Sequence, residues 1–340
     1  MNPDLSFAAM PRQLILFGSP GTGKSHKVEA EIAPALHQPA TIKTVFHPEY
    51  TYGDFMGRLM PLSEPDGRVS YRYYPGHFLQ ALAEALRRYH QAPAGTQARD
   101  VLLVIDEINR GNSAAIFGTV FQLLDRNDDG WSSYEVNISD MEQDALLKLM
   151  GVHRCARQPG RYEWDDEGGG RADLPELFKG NLAFVAERKI KLPPNLHLVG
   201  TMNTSDESIY YMDSAFKRRW SWEYMPLDGV PQSVPIETLE EADWRQFVNK
   251  LNAFLRRHTA SIRKVEDKQI GYYFIRARDG KVAHSDIQHK LMFFLWDTVF
   301  ARDKRPLEDL FGDNCKLVTF GEFSVRSAQF IAKISGSEAQ

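Results

Sequence analysis

Gly18-Ser19-Pro20-Gly21-Thr22-Gly23-Lys24-Ser25 is the stretch whose reading decides the fold. Its glycines let backbone N–H groups close around phosphate oxygens, and the helix expected to follow offers its positive N-terminal end to the same anion. Lys24 is placed to reach the terminal phosphates, and Ser25 to give its hydroxyl to Mg²⁺. Upstream, Leu14-Ile15-Leu16-Phe17 is an apolar run ending at the first glycine, which is the buried strand such a loop requires. All eight positions, Gly18, Ser19, Pro20, Gly21, Thr22, Gly23, Lys24 and Ser25, are therefore read as nucleotide-binding.

A second stretch supplies the carboxylates. Val101-Leu102-Leu103-Val104-Ile105-Asp106-Glu107 is a fully apolar strand running into paired acids. An Asp-Glu at a strand end is weak evidence alone, but with the phosphate loop upstream it forms a Walker B pattern. Asp106 would hold Mg²⁺ through water, because that ion takes hard oxygen ligands and keeps much of its hydration shell. Glu107 would polarise the attacking water as general base. Further on, Leu196-His197-Leu198-Val199-Gly200-Thr201 is another strand, ending in Met202-Asn203-Thr204-Ser205-Asp206. The Asn203 amide at that tip could orient the lytic water, or simply form a turn. Met212 to Trp220 then carries Lys217, Arg218 and Arg219 at the end of a short helix. Cations there suit the helix dipole. If subunits pack side by side, Arg218 and Arg219 would also point at a neighbour's nucleotide as arginine fingers.

The bulk numbers bound the rest. A chain of 340 residues, 43% hydrophobic and 25% charged, has room for a large and a small domain. Two cysteines exclude a disulfide framework or a four-cysteine zinc site, and a net charge of -4 argues against a generally basic nucleic-acid surface. No run approaches the ~20 apolar residues that span a bilayer, so no membrane role is expected and the cytoplasm is the expected compartment. Residues 1–229 are read as the α/β nucleotide-binding domain, with insertions at about 47–76 and 126–194. The first insertion is rich in tyrosine around Pro65-Asp66-Gly67 and reads as a hairpin or loop, its aromatics expected to pack onto the core, with substrate contact as the alternative. Residues 230–340 follow a proline-rich linker and carry helical spacing, as in Trp244, Phe247, Val248 and Leu251, which reads as a small helical lid whose closure couples hydrolysis to movement.

Together these motifs resemble the McrB-like AAA+ motors, the nucleotide-driven subunits of modification-dependent restriction systems. The resemblance rests on the phosphate loop, on Phe46-His47-Pro48-Glu49-Tyr50-Thr51-Tyr52-Gly53-Asp54-Phe55, and on Ile105-Asp106-Glu107-Ile108-Asn109-Arg110-Gly111-Asn112. It continues through Met202 to Ile209 and Asp213 to Trp220, and ends at Ile270-Gly271-Tyr272-Tyr273-Phe274. What it implies is a P-loop AAA+ fold, a parallel sheet flanked by helices with a helical lid behind it. It also implies a hexameric ring with arginines supplied in trans and a separate nuclease or effector subunit. Ser205, Lys217 and Trp220 depart from the more usual family residues. The segment from Asn203 to Asp206 is where GTP-preferring members differ, so these departures do not fix the nucleotide; Asp206 is counted with the nucleotide-binding residues, and ATP is favoured with GTP as the alternative. DNA-reading members carry an added N-terminal domain, whereas this chain begins almost at the first strand, so any DNA contact is expected through the assembly. A chaperone-like remodeller and a nucleotide-gated scaffold with little turnover are the alternatives.

Overall fold

The computed structural model describes residues 10–93, 95–154, 162–165, 171–173, 184, 187–204, 210–227, 235–237, 239–278, 280–312 and 315–336. The apolar runs become strands of one sheet: β1 (Gln13–Gly18), β2 (Ala40–Val45), β3 (Val101–Asp106), β4 (Leu196–Asn203) and β5 (Ser221–Tyr224). Their lateral order is β5-β1-β4-β3-β2. β3 pairs in parallel with β4, Val101 opposite Leu196, and with β2, Ala40 opposite Val101. β4 also steps along β1, with Leu198 N–H donating to Arg12 O and Thr204 N–H to Gly18 O, six residues on along each strand. Strands covered on both faces read as unbroken apolar runs, which is why Val101 to Ile105 are all fully buried. The edge strand β2 instead alternates, with Thr44 buried and Val45 exposed.

The chain divides into two compact units that are not a single cut in chain order. The first comprises Met1–Leu16, Ser25–Met202 and Ser208–Glu223; the second comprises Phe17–Lys24, Asn203–Glu207 and Tyr224–Gln340.

In the first unit the spacing of Phe78, Leu82 and Leu86 makes the helix His77–Gln91, whose apolar face is buried. Ahead of it lies the insertion at 47–76. Thr51 and Asp54 form a reciprocal capping box that starts the short helix Tyr52–Phe55. A hairpin of two seven-residue strands follows, Gly57–Ser63 paired with Val69–Pro75. Its aromatics divide. Tyr50 and Phe55 join the core, and within the hairpin Tyr73 is half-buried with its hydroxyl donating to Met56 O at 3.3 Å. Tyr71 is 68% exposed and Tyr74 40% exposed, so the expectation that the tyrosines pack inward fails for those two. In the second insertion, Ser139 and Glu142 form a capping box on the helix Asp140–Leu149. Val136–Asn137 pairs with Lys189–Ile190, and a three-stranded ribbon is made by Val152–Arg154, Tyr162–Asp165 and Arg171–Asp173.

The second unit is mainly helical beyond its linker. Trp244–Arg257, Arg305–Phe311 and Ser327–Ser335 pack around Phe247, Leu251, Leu295, Phe323 and Phe330. The run from 284 to 299 is one helical rod with two π-helical stretches, Ile287–Leu291 and Leu295–Val299. Among the described residues no helix is long and apolar enough to cross a membrane.

Candidate nucleotide-binding site

The phosphate loop lies in the second unit. Gly21 and Gly23 have φ of 76° and 87°, the left-handed region that glycine enters without a Cβ penalty. Thr22 Oγ1 donates to Ser19 O at 3.0 Å and closes the turn. Lys24 is buried, its ammonium donating to Gly18 O at 3.1 Å and Ser19 O at 2.9 Å, with Thr22 Oγ1 at 3.4 Å. The cation therefore sits at the mouth of its own loop, surrounded by loop oxygens. Ser19 Oγ donates to Glu266 O at 3.1 Å, Gly271 N–H to Pro20 O at 2.8 Å and Tyr273 N–H to Gly21 O at 2.7 Å. Asn203, at the tip of β4, and the Thr204 N–H that donates to Gly18 O belong to the same unit. Asp206 lies outside the described residues.

The carboxylates and arginines lie in the first unit. Thr201, buried in β4, donates its hydroxyl to Asp106 Oδ1 at 2.8 Å and accepts the Glu107 N–H at 3.4 Å. Ile108 N–H donates to the Thr201 carbonyl at 3.0 Å, so one residue fixes the acid pair through side chain and backbone alike. Glu107 itself has φ 55°, a left-handed backbone that a side chain with a Cβ adopts at a cost of about 1 kcal/mol or more. Such strain concentrates where geometry serves chemistry. Thr201 is a candidate site residue that reading the strand as merely apolar overlooks. The signal is a lone hydroxyl in β4 two residues before Asn203.

The donor set fits a magnesium ion. Asp106 offers a carboxylate whose Oδ1 is already oriented, and Ser25, exposed in the first turn of the helix Lys24–Lys27, offers a hydroxyl. Among the described residues no group of three or more His, Cys, Asp or Glu is placed to hold a metal ion.

The two arginines, adjacent in sequence, differ in setting. The Asp213 carboxylate caps the helix Ser214–Lys217 by accepting the Phe216 N–H at 2.7 Å, and Phe216 and Trp220 anchor that helix against Phe117. Arg219 turns inward: its guanidinium donates to Asp125 Oδ2 at 2.7 Å and 3.0 Å, lies 4.6 Å over the Phe121 ring, and its side chain is 7% exposed. Arg218 is exposed.

Comparison with known proteins places the chain among related sequences. The chain is 27% identical over 324 residues to the type II restriction enzyme BsuMI component YdiS of Bacillus subtilis, covering 86% of this chain and 80% of that one. It is 24% identical over 214 residues to the type IV methyl-directed restriction enzyme EcoKMcrB subunit of Escherichia coli, covering 62% of this chain and about a third, 34%, of that one. Among solved structures, one described as that of a candidate ATPase from Cytophaga hutchinsonii aligns over 97% of this chain and 86% of that one, at 12% identity and a TM-score of 0.26, too low to bear on fold or function. Residues 13–220 match the model of the AAA domain, dynein-related subfamily. That match starts at β1 and takes in the phosphate loop, the Asp106–Glu107 pair and both arginines, and the chain belongs to this AAA family.

Proposed function

We propose that the protein is a Mg²⁺-dependent nucleoside-triphosphatase, with ATP preferred to GTP, working as the motor subunit of a restriction or antiphage assembly. The observation that carries this reading is the Thr201 hydroxyl locking the Asp106 carboxylate while accepting the Glu107 amide. It orients a metal-binding acid and a strained catalytic acid from one point. Residues 18–24 grip the phosphates, and Asp106 with Ser25 hold the metal, which when bound neutralises phosphate charge. Glu107 accepts a proton from the attacking water, and Asn203 orients that water.

The exposure of Arg218 supports its role as the arginine lent to a neighbouring protomer's nucleotide in a hexameric ring, with Arg219 an internal anchor. Residues from about 230 onward serve as a lid. The names of the two relatives, a restriction-enzyme component and a restriction-enzyme subunit, support a separate nuclease partner, with DNA engaged through the assembly.

Phosphate release from Mg²⁺-ATP and Mg²⁺-GTP, with and without EDTA, tests the reading. Glu107→Gln is expected to bind nucleotide and lose about a hundredfold or more of turnover. Turnover equal to the parent's would overturn the assignment.

A further inference from the structure

We propose that the turn at residues 271–274 is a positioning element that presets the phosphate loop for its nucleotide. This rests on the nucleotide-binding reading above and adds a determinant of affinity about 250 residues beyond the loop. The argument begins with peptide geometry. In a planar trans peptide the carbonyl of one residue and the N–H of the next point in opposite directions, and the described chain has no cis bond. Gly271 N–H holds Pro20 O at 2.8 Å, and Tyr273 N–H holds Gly21 O at 2.7 Å. Both carbonyls therefore face the turn. The N–H groups of Gly21 and Thr22, which share those two peptide planes, face the opposite side, where a phosphate nest needs its donors.

The fit is close enough to exclude side chains. A Cβ on Gly21 would collide with the backbone of Phe274, and a Cβ on Gly23 would lie 2.9 Å from the Tyr273 ring. A Cβ on Gly271 would collide with the Gly21 carbonyl. The turn is itself fastened to the helix Trp244–Arg257. Asn252, buried in that helix, accepts the Ile270 N–H at 3.0 Å and donates to Ile270 O at 2.8 Å. Trp244 Nε1 donates to Tyr272 O at 2.8 Å, and the Tyr272 hydroxyl donates to Asn249 Oδ1 at 2.7 Å. Helix, turn and loop thus form one chain of short hydrogen bonds, so the loop's donor directions are set by the helical body.

Gly271 makes a clean probe, because its φ of -90° and ψ of 169° suit any residue. Gly271→Ala adds no backbone strain and acts only by pushing the turn off Gly21. Affinity for fluorescent ATP and ADP analogues is measured for the full chain, together with the thermal midpoint without nucleotide. Gly271→Ala is expected to lower the nucleotide-free midpoint, because its Cβ meets the Gly21 backbone, and to weaken binding about tenfold or more. Tyr273→Ala is expected to weaken it less, and Tyr273→Phe to bind like the parent. Binding by Gly271→Ala equal to the parent's overturns the proposal while leaving the nucleotide-binding reading intact. Should Gly271→Ala fail to fold, the Tyr273 pair decides, and equal affinity of its Ala and Phe forms overturns it. A parent chain that binds neither nucleotide sinks both.

Discussion

The Thr201 hydroxyl lies 2.8 Å from Asp106 Oδ1, and it does so from the neighbouring strand of a parallel sheet. Parallel register makes this possible: Gly200 stands opposite Ile105, so the next residue on each strand meets at the end where the acids emerge. Thr201→Val keeps the shape and removes the hydrogen bonds. It is expected to lower kcat at least tenfold, to raise the Mg²⁺ concentration needed for half-maximal rate, and to cost about 1–3 kcal/mol of stability by leaving the Glu107 amide short of a partner. Thr201→Ser should restore most of the rate. Magnesium titrations of turnover, paired with urea melts, check both effects.

Arg218 and Arg219 should separate cleanly. Arg219→Ala removes a guanidinium bound to Asp125 and stacked on Phe121, so it is expected to cost about 1–3 kcal/mol in chemical denaturation. Arg218→Ala removes an exposed side chain and should change stability by less than about 0.5 kcal/mol. Its effect should fall on turnover, by a hundredfold or so, with the nucleotide-free monomer unaffected. Mixing Arg218→Ala with Glu107→Gln chains should regain activity if the two groups serve one nucleotide from different protomers.

Lys24→Ala deletes the ammonium that lies among Gly18 O, Ser19 O and Thr22 Oγ1. Nucleotide affinity is expected to fall by about two orders of magnitude, while the loop, still tied to the turn at 271–274, keeps the fold. Calorimetric titration with ATP and a melt without it distinguish the two.

A pH effect follows from Glu84 on the helix His77–Gln91. Burial alone would raise its pKa, but hydrogen bonds from Arg87 and Arg88 at 2.6–2.9 Å overcome that and hold it below its ordinary 4.5. A depressed folded-state pKa means the folded chain favours the ionised form. The stabilisation is therefore fully present above pH 4.5 and drains away as the pH falls through the lower folded-state value. Glu84→Gln should cost about 0.5–1 kcal/mol at pH 7, and the difference from the parent should close in acid. Denaturant midpoints measured down the pH scale show whether it does.

Local signals were the legible ones. Ser139 with Glu142 announces its helix because a capping box is written within four residues, and Asn112 caps the helix Ser113–Phe117 for the same reason. The apolar runs of β1, β3 and β4 stand out because parallel strands are buried on both faces. Long-range partners are not legible. Nothing near Arg219 in the chain indicates Asp125, and nothing near Gly21 indicates Tyr273, since those pairings exist only once the sheet order and the helical packing are set. The hairpin tyrosines show the same limit. Composition marks Tyr50 and Tyr71 alike, yet Tyr50 is buried against Phe46 and His77 while Tyr71, on the hairpin strand Val69–Pro75, is exposed.

The left-handed backbone at Glu107 has a consequence for how this gene decays. Asparagine and glycine occupy that conformation more comfortably than glutamate. A lineage released from the need to turn over nucleotide, but still selected to fold, would drift toward those residues at this one codon first. An inactive relative should therefore be recognisable by Asn or Gly at position 107, and should melt higher than its working ancestor.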